Sequence, residues 1–169
     1  MQGFVCYSCG VSNPGARSVK WGISYLIHWF EQSINNRVKT IRQSYTIHAS
    51  IGKVWQALVD PTQIEGWGGG PAIMNDKVGT TFKLWGGEIY GKNIEVVSHK
   101  KLVQEWFGGK WDEPSILTVH LYKKDPSTSS GQVTVVDLLH EKVPDEEAKD
   151  IEQGWKDYYM NPLKEFVES

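Results

Sequence analysis

The chain has almost no cysteine, no surplus of positive charge and no long apolar run, and each shortage removes a class of function. Two cysteines in 169 residues, Cys6 and Cys9, form a single C-x-x-C near the start. One local pair cannot staple a fold together, so the body reads as a reduced, intracellular type. A closed zinc site needs four ligands. With no second Cys pair and only His28 nearby, no metal is expected there. The formal net charge of −2 offers no basic field to nucleic acid or to an anionic membrane. The longest apolar stretch, Trp21 to Phe30, contains His28 and is about ten residues long, too short to span a bilayer. The start lacks a basic segment followed by a clean apolar core, so no signal peptide is expected and the cytoplasm is the expected compartment.

Chemistry is equally sparse. The body holds no Ser-His-Asp order, no Gly-rich phosphate loop and no His/Cys ligand spacing. Asp137 and His140 lie three apart in a strand-like segment, so they point to opposite faces and cannot act as a dyad. His120 and Tyr122 share a strand face with Ile116 and Thr118 and read as solvated or hydrogen-bonded positions. Glu88 and Glu105 are carboxylates without a partner at a telling spacing, Glu88 being the one a hairpin turn would expose. No catalytic residue and no cofactor is expected.

What is present is aromatic. Eight tryptophans stand in a chain whose apolar share (40%) and charged share (22%) are ordinary for a globular protein. The length suits one domain. Clean periodic signals begin at Thr40, so residues 1–39 read as a leader of unknown role and 40–169 as the domain. Ile41, Gln43, Tyr45 and Ile47 alternate with polar neighbours as a half-buried strand. Ser50 caps a helix with Ile51, Val54, Trp55, Leu58 and Val59 at helical spacing. Asp60-Pro61 stops it, and the capping-box spacing of Thr62 to Glu65 predicts a second short helix running to Trp67. The glycines around Trp67 predict an open, mobile loop. Strands are then expected at 80–85, 88–97, 102–107, 115–122 and 132–140, with a short one near 72–74. Gly86-Gly87 is a two-residue hairpin signal, and 125–131 a flexible tip. Short connections imply an antiparallel meander.

The last stretch, Asp145 to Val167, is a helix the rest must accommodate. Ile151, Trp155, Tyr158, Pro162 and Phe166 form its apolar stripe, widened by Tyr159, Leu163 and Val167. Asp145 is the expected cap. Pro162 removes an amide donor and clashes with the carbonyl of Tyr158, which predicts a kink beside Tyr158 and Tyr159.

The combination is specific. The helix ending V-W-Q-A-L-V-D-P, the run F-K-L-W-G-G-E-I-Y-G-K-N-I-E-V-V, the strand K-K-L-V-Q-E-W and the terminal G-W-K-D-Y-Y-M-N-P-L-K-E-F resemble the SRPBCC, or START-like, superfamily. Within it they are most similar to homologues of the activator of heat shock protein 90 ATPase. The resemblance covers about Thr40 to Glu168. It implies an α+β helix-grip fold: a curved antiparallel sheet wrapped around a long C-terminal helix, two short helices at one end, and a cavity between sheet and helix. Members often read Pro-Glu where this chain has Ile51-Gly52. Eukaryotic activators carry a separate N-terminal chaperone-binding domain, for which residues 1–39 are too short. The expected role is a non-catalytic, co-chaperone-like or stress-response binding protein whose partner is a heat shock protein 90-type chaperone. The alternatives are a carrier or sensor of a small apolar ligand, and a cyclase- or hydrolase-like enzyme. Trp67, Phe82, Trp106, Trp155, Tyr158 and Tyr159 are the residues expected at the cavity.

Overall fold

Alternation along each strand decides which side chains meet the terminal helix. The computed structural model describes residues 38–109, 111–124 and 132–169. The Cys6–Cys9 pair, the Trp21 to Phe30 stretch and the 125–131 tip lie outside them. Among the described residues six strands form one antiparallel sheet: β1 (Val38–Ile47), β2 (Thr81–Leu84), β3 (Ile89–Val97), β4 (Lys101–Gly108), β5 (Ser115–Lys123) and β6 (Thr134–Pro144). Their spatial order is β1-β6-β5-β4-β3-β2. In β4, Leu102, Gln104 and Trp106 turn inward, and in β5 Ser115, Leu117, Val119 and Leu121 do. Irregular register between Asn93 and Glu95 and between Lys39 and Ile41 adds local bend and twist.

The passage from β1 to β2, at opposite edges, is made by α1 (Ile51–Val59) and α2 (Pro61–Gly66). The Ser50 hydroxyl accepts from the Lys53 amide at 3.2 Å, and α1 buries Val54, Trp55, Leu58 and Val59. The capping box expected at Thr62 is not the one used. Asp60 ends α1 and also caps α2, accepting from the Gln63 amide at 3.1 Å. Pro61 then occupies the first turn, where a missing N–H costs nothing.

Three further expectations change. The strand foreseen at 72–74 is a single bridge, Ile73 to Lys83. The β2–β3 connection is not a two-residue turn: Leu84 pairs with Ile89, so Trp85 to Glu88 form the loop. Trp85, Gly86 and Gly87 all have positive φ there, which lengthens the turn. The glycine loop after α2 is packed rather than open. Trp67 is only 5% exposed, and a Cβ at Gly69 would lie 2.5 Å from the Trp67 ring.

The terminal helix runs as α3 (Ala148–Gly154), a π-helical turn (Trp155–Met160) and α4 (Asn161–Glu168). It starts at Ala148 rather than from an Asp145 cap, and the Asp145 carboxylate pairs with Lys39 at 2.6 Å. At the place of the expected kink the helix makes this π turn. The Asn161 amide donates to the carbonyl of Lys156, five residues back, so Pro162 enters a new first turn. The extra residue moves the stripe on by one. Beyond Trp155 the buried positions are Tyr159, Met160, Leu163 and Val167, while Tyr158 is 72% exposed. Each buried aromatic ring contributes roughly 4–6 kcal/mol gross, as an upper bound.

The sheet thus wraps a 21-residue C-terminal helix with two short helices beside it, which is the helix-grip architecture. One strand position allows this closeness. Gly91 sits opposite Trp106, and a Cβ there would fall 1.8 Å from the Glu105 carbonyl oxygen and 2.9 Å from the Phe82 ring. Backbone cannot yield cheaply, so Gly91→Ala is expected to destabilise the domain by about 3 kcal/mol or more in urea unfolding. A loss under about 1 kcal/mol would show that β3 and β4 can move apart.

Candidate functional site

Four aromatic rings converge on Tyr159. Trp155 and Trp67 lie 4.7 and 4.8 Å from it, Trp85 and Trp106 at 6.0 and 6.3 Å. Trp155 and Trp106 also stack obliquely at 4.7 Å. Such pairs add about 0.5–1.5 kcal/mol each beyond burial. The indole N–H groups are used within the protein. Trp67 donates to the Ala57 carbonyl (2.8 Å), Trp85 to that of Gly68 (2.9 Å), Trp106 to Gln104 Oε1 (2.9 Å) and Trp155 to His140 Nδ1 (3.0 Å).

Beside this cluster a cleft of about 350 Å³ opens between the β2–β3 turn, β4 and the terminal helix. Four of the expected cavity residues line it: Trp106, Trp155, Tyr158 and Tyr159. Tyr158, off the buried face, stands at the rim. Trp67 and Phe82 are not in the wall but behind it, Phe82 packing on Trp106 at 5.9 Å and Trp67 on Tyr159. Sequence reasoning did not place Trp85, Glu88 or Ile89 at the cavity from the turn side, nor Asp150, Ile151 or Gly154 from the helix side. A turn of unforeseen length hid the first group. For the second, Ile151 and Gly154 precede Trp155 by one turn and one residue, a signal that was available. Trp85 holds φ 47°, a costly conformation for a bulky residue. Its amide donation to the Gly69 carbonyl (2.9 Å) and its indole bond to Gly68 keep it there. The π turn carries three of the lining residues, and such turns recur at functional sites.

Two buried polar chains support the wall. Gln104 accepts from Trp106 and donates to Asn93 Oδ1 at 2.7 Å, and Asn93 donates to the Asn75 carbonyl at 2.7 Å. Both amides are essentially inaccessible. The second chain settles a tautomer. An indole can only donate, so His140 Nδ1 accepts from Trp155 and Nε2 carries the proton. Nε2–H then donates to Ser115 Oγ at 2.7 Å, whose hydroxyl donates to the Trp106 carbonyl at 3.2 Å. His140 is a neutral structural link. Asp137 lies on the other face, accepting from Ser44 and Tyr122 at 2.6 and 2.9 Å. His120 is exposed. Among the described residues no group of three or more His, Cys, Asp or Glu is placed to hold a metal ion.

Burial lowers the His140 pKa from 6.5 to about 3. The unfolded chain therefore binds the extra proton first, so the stabilisation is complete above pH 6.5 and is lost as pH falls towards 3. The slope is about 1.4 kcal/mol per pH unit, or about 2 kcal/mol between pH 7 and 5. Urea titrations at both pH values should show this loss in the native chain and its absence in His140→Gln. Equal slopes would mean that His140 is not held neutral.

Comparison with known proteins places this geometry. The crystal structure of an HSP90 activator from Plasmodium falciparum superposes with a TM-score of 0.65 at 20% identity, over 76% of this chain and 95% of that one. The solution structure of the Aha1 dimer from Colwellia psychrerythraea gives 0.63 at 20% identity, over 77% and 96%. At these identities the likeness is one of fold. An uncharacterized protein of Schizosaccharomyces pombe is 24% identical over 124 residues, 73% of this chain, which spans only 36% of that relative. The model of the family described as "Activator of Hsp90 ATPase homolog 1-like protein" matches residues 48–168, and the chain belongs to that family.

Proposed function

We propose that this chain is a non-catalytic binding protein that holds a small, mainly apolar molecule in the cleft between the sheet and the C-terminal helix. The observation that carries this reading is the cleft itself: about 350 Å³, walled by Trp85, Trp106, Trp155, Tyr158 and Tyr159. Small-molecule sites are typically concave, aromatic and of about 300–1,000 Å³. The non-catalytic part is supported by the use of His140 and Ser115 in structural hydrogen bonds and by Asp137 lying on the other face of the sheet.

Gly154 gives a clean test. It has ordinary helical φ and ψ, and a Cβ there meets only the Tyr158 ring, at 4.0 Å. Gly154→Leu should fill the cleft while improving helix propensity, by up to about 1 kcal/mol. The neutral dye N-phenyl-1-naphthylamine is expected to brighten on binding the native protein. The variant should bind it at least about tenfold more weakly with an unchanged or higher melting temperature. Equal dye binding by both proteins would rule out the cleft as its site.

The second reading, docking on a heat shock protein 90-type chaperone, is supported by membership of the activator family. With a net charge of −2 the chain has no strong electrostatic steering to draw on, and it should bind the chaperone with a Kd above about 1 µM and raise its ATP turnover modestly. Calorimetry and turnover on the same pair decide: submicromolar binding with several-fold stimulation contradicts the weak coupling, and no binding at about 100 µM removes this partner.

A further inference from the structure

We infer that the cleft selects for positive charge: its ligand is a small organic ammonium with an apolar body. This rests on the cleft being a ligand site and adds the class of ligand. The charged residues in its lining are Glu88, in the β2–β3 turn on the sheet side, and Asp150, in the first turn of α3 on the helix side. Neither is ion-paired among the described residues, and no Lys, Arg or His lines the cleft.

The rings add to the same bias. With the N–H groups of Trp85, Trp106 and Trp155 already donated to Gly68, Gln104 and His140, none is left over for an anionic ligand. The lining rings that keep appreciable exposed surface are Trp85 and Tyr158, and an aromatic face is electron-rich and attracts cations. The remaining donors in the lining side chains are two phenols. Tyr159 is only 4% exposed, its hydroxyl bonds to no described residue, and burial raises its pKa, so it stays neutral.

Three ligand classes can be weighed on these groups. A carboxylate or sulfonate would gain at most the phenols and would face two like charges. A neutral molecule would gain the apolar contacts and, through a hydroxyl, the phenols. An ammonium would gain the apolar contacts, the exposed ring surface of Trp85 and Tyr158 and the attraction of both carboxylates. The volume of about 350 Å³ leaves room for a ring or short alkyl body behind the charged head.

The test uses three matched compounds: 4-phenylbutyltrimethylammonium, 4-phenylbutan-1-ol and 4-phenylbutane-1-sulfonate. Each is titrated into the full chain, with tryptophan fluorescence and calorimetry as readouts. The ammonium is expected to bind at least about tenfold more tightly than the alcohol, and the sulfonate most weakly. In the double variant Glu88→Gln/Asp150→Asn the ammonium should fall to within about twofold of the alcohol. Glu113→Gln/Glu165→Gln changes the net charge equally outside the cleft lining and should keep the preference. Equal binding of alcohol and ammonium, or tightest binding of the sulfonate, overturns the charge selection and leaves the apolar cleft standing. Failure of all three to bind at about 1 mM overturns both.

Discussion

An indole N–H buried without an acceptor costs about 1–3 kcal/mol, and the grip of this sheet on its helix depends on avoiding that cost where the two meet. Trp155 reaches the sheet because His140 presents an unprotonated nitrogen to it. His140 can do so because Ser115 accepts the proton on its other nitrogen. Trp106 is held in the same way by Gln104, and Gln104 by Asn93. The acceptors therefore decide where the rings stand, and the rings decide the shape of the cleft. Walls locked from behind are pre-organised, so little ordering cost remains for a ligand to meet. Trp55 is the exception. Its indole nitrogen is buried with no partner among the described residues, and α1 carries that cost within a fully apolar face.

Much of this was legible in the residues because period-2 and period-3.6 patterns report burial directly. Ile41 to Ile47, the α1 stripe and the opposite faces of Asp137 and His140 all follow from alternation. What escaped depended on choices made elsewhere in the fold. Asp145 is a good cap by type, but Lys39 on β1 takes its carboxylate. Asp60 and Thr62 both suit a helix start, and only the chain path decides between them. Tyr158 and Tyr159 are chemically alike neighbours. Which one is buried follows from the π turn, for which Pro162 was the available hint. Gln104 offered a missed signal: an amide at an inward position between Leu102 and Trp106 had to be satisfied, and its acceptor role for an indole could have been sought.

Family and site carry different information. The match over residues 48–168 establishes what the chain is built like, whereas ligand chemistry is set by a few side chains on the frame. For the proposed ammonium those are Glu88 in the β2–β3 turn and Asp150 in the first turn of α3. Both lie outside the buried positions that the architecture dictates, so they can vary without disturbing the grip. The aromatic wall is different. Trp106 and Trp155 serve the core and the cleft together, and neither role can change alone.

The π turn has a genetic consequence. Loss of a single residue between Trp155 and Met160 would let the helix close as a regular α-helix with Leu163 and Val167 still on the buried face, because the π turn absorbs one extra residue. Pro162 would then fall within an unbroken helix, at a cost of roughly 3 kcal/mol. Surface helices often tolerate one-residue deletions near their ends. In this one a residue lost from the regular segment α3 would instead turn everything beyond it by about 100°, so length there encodes direction.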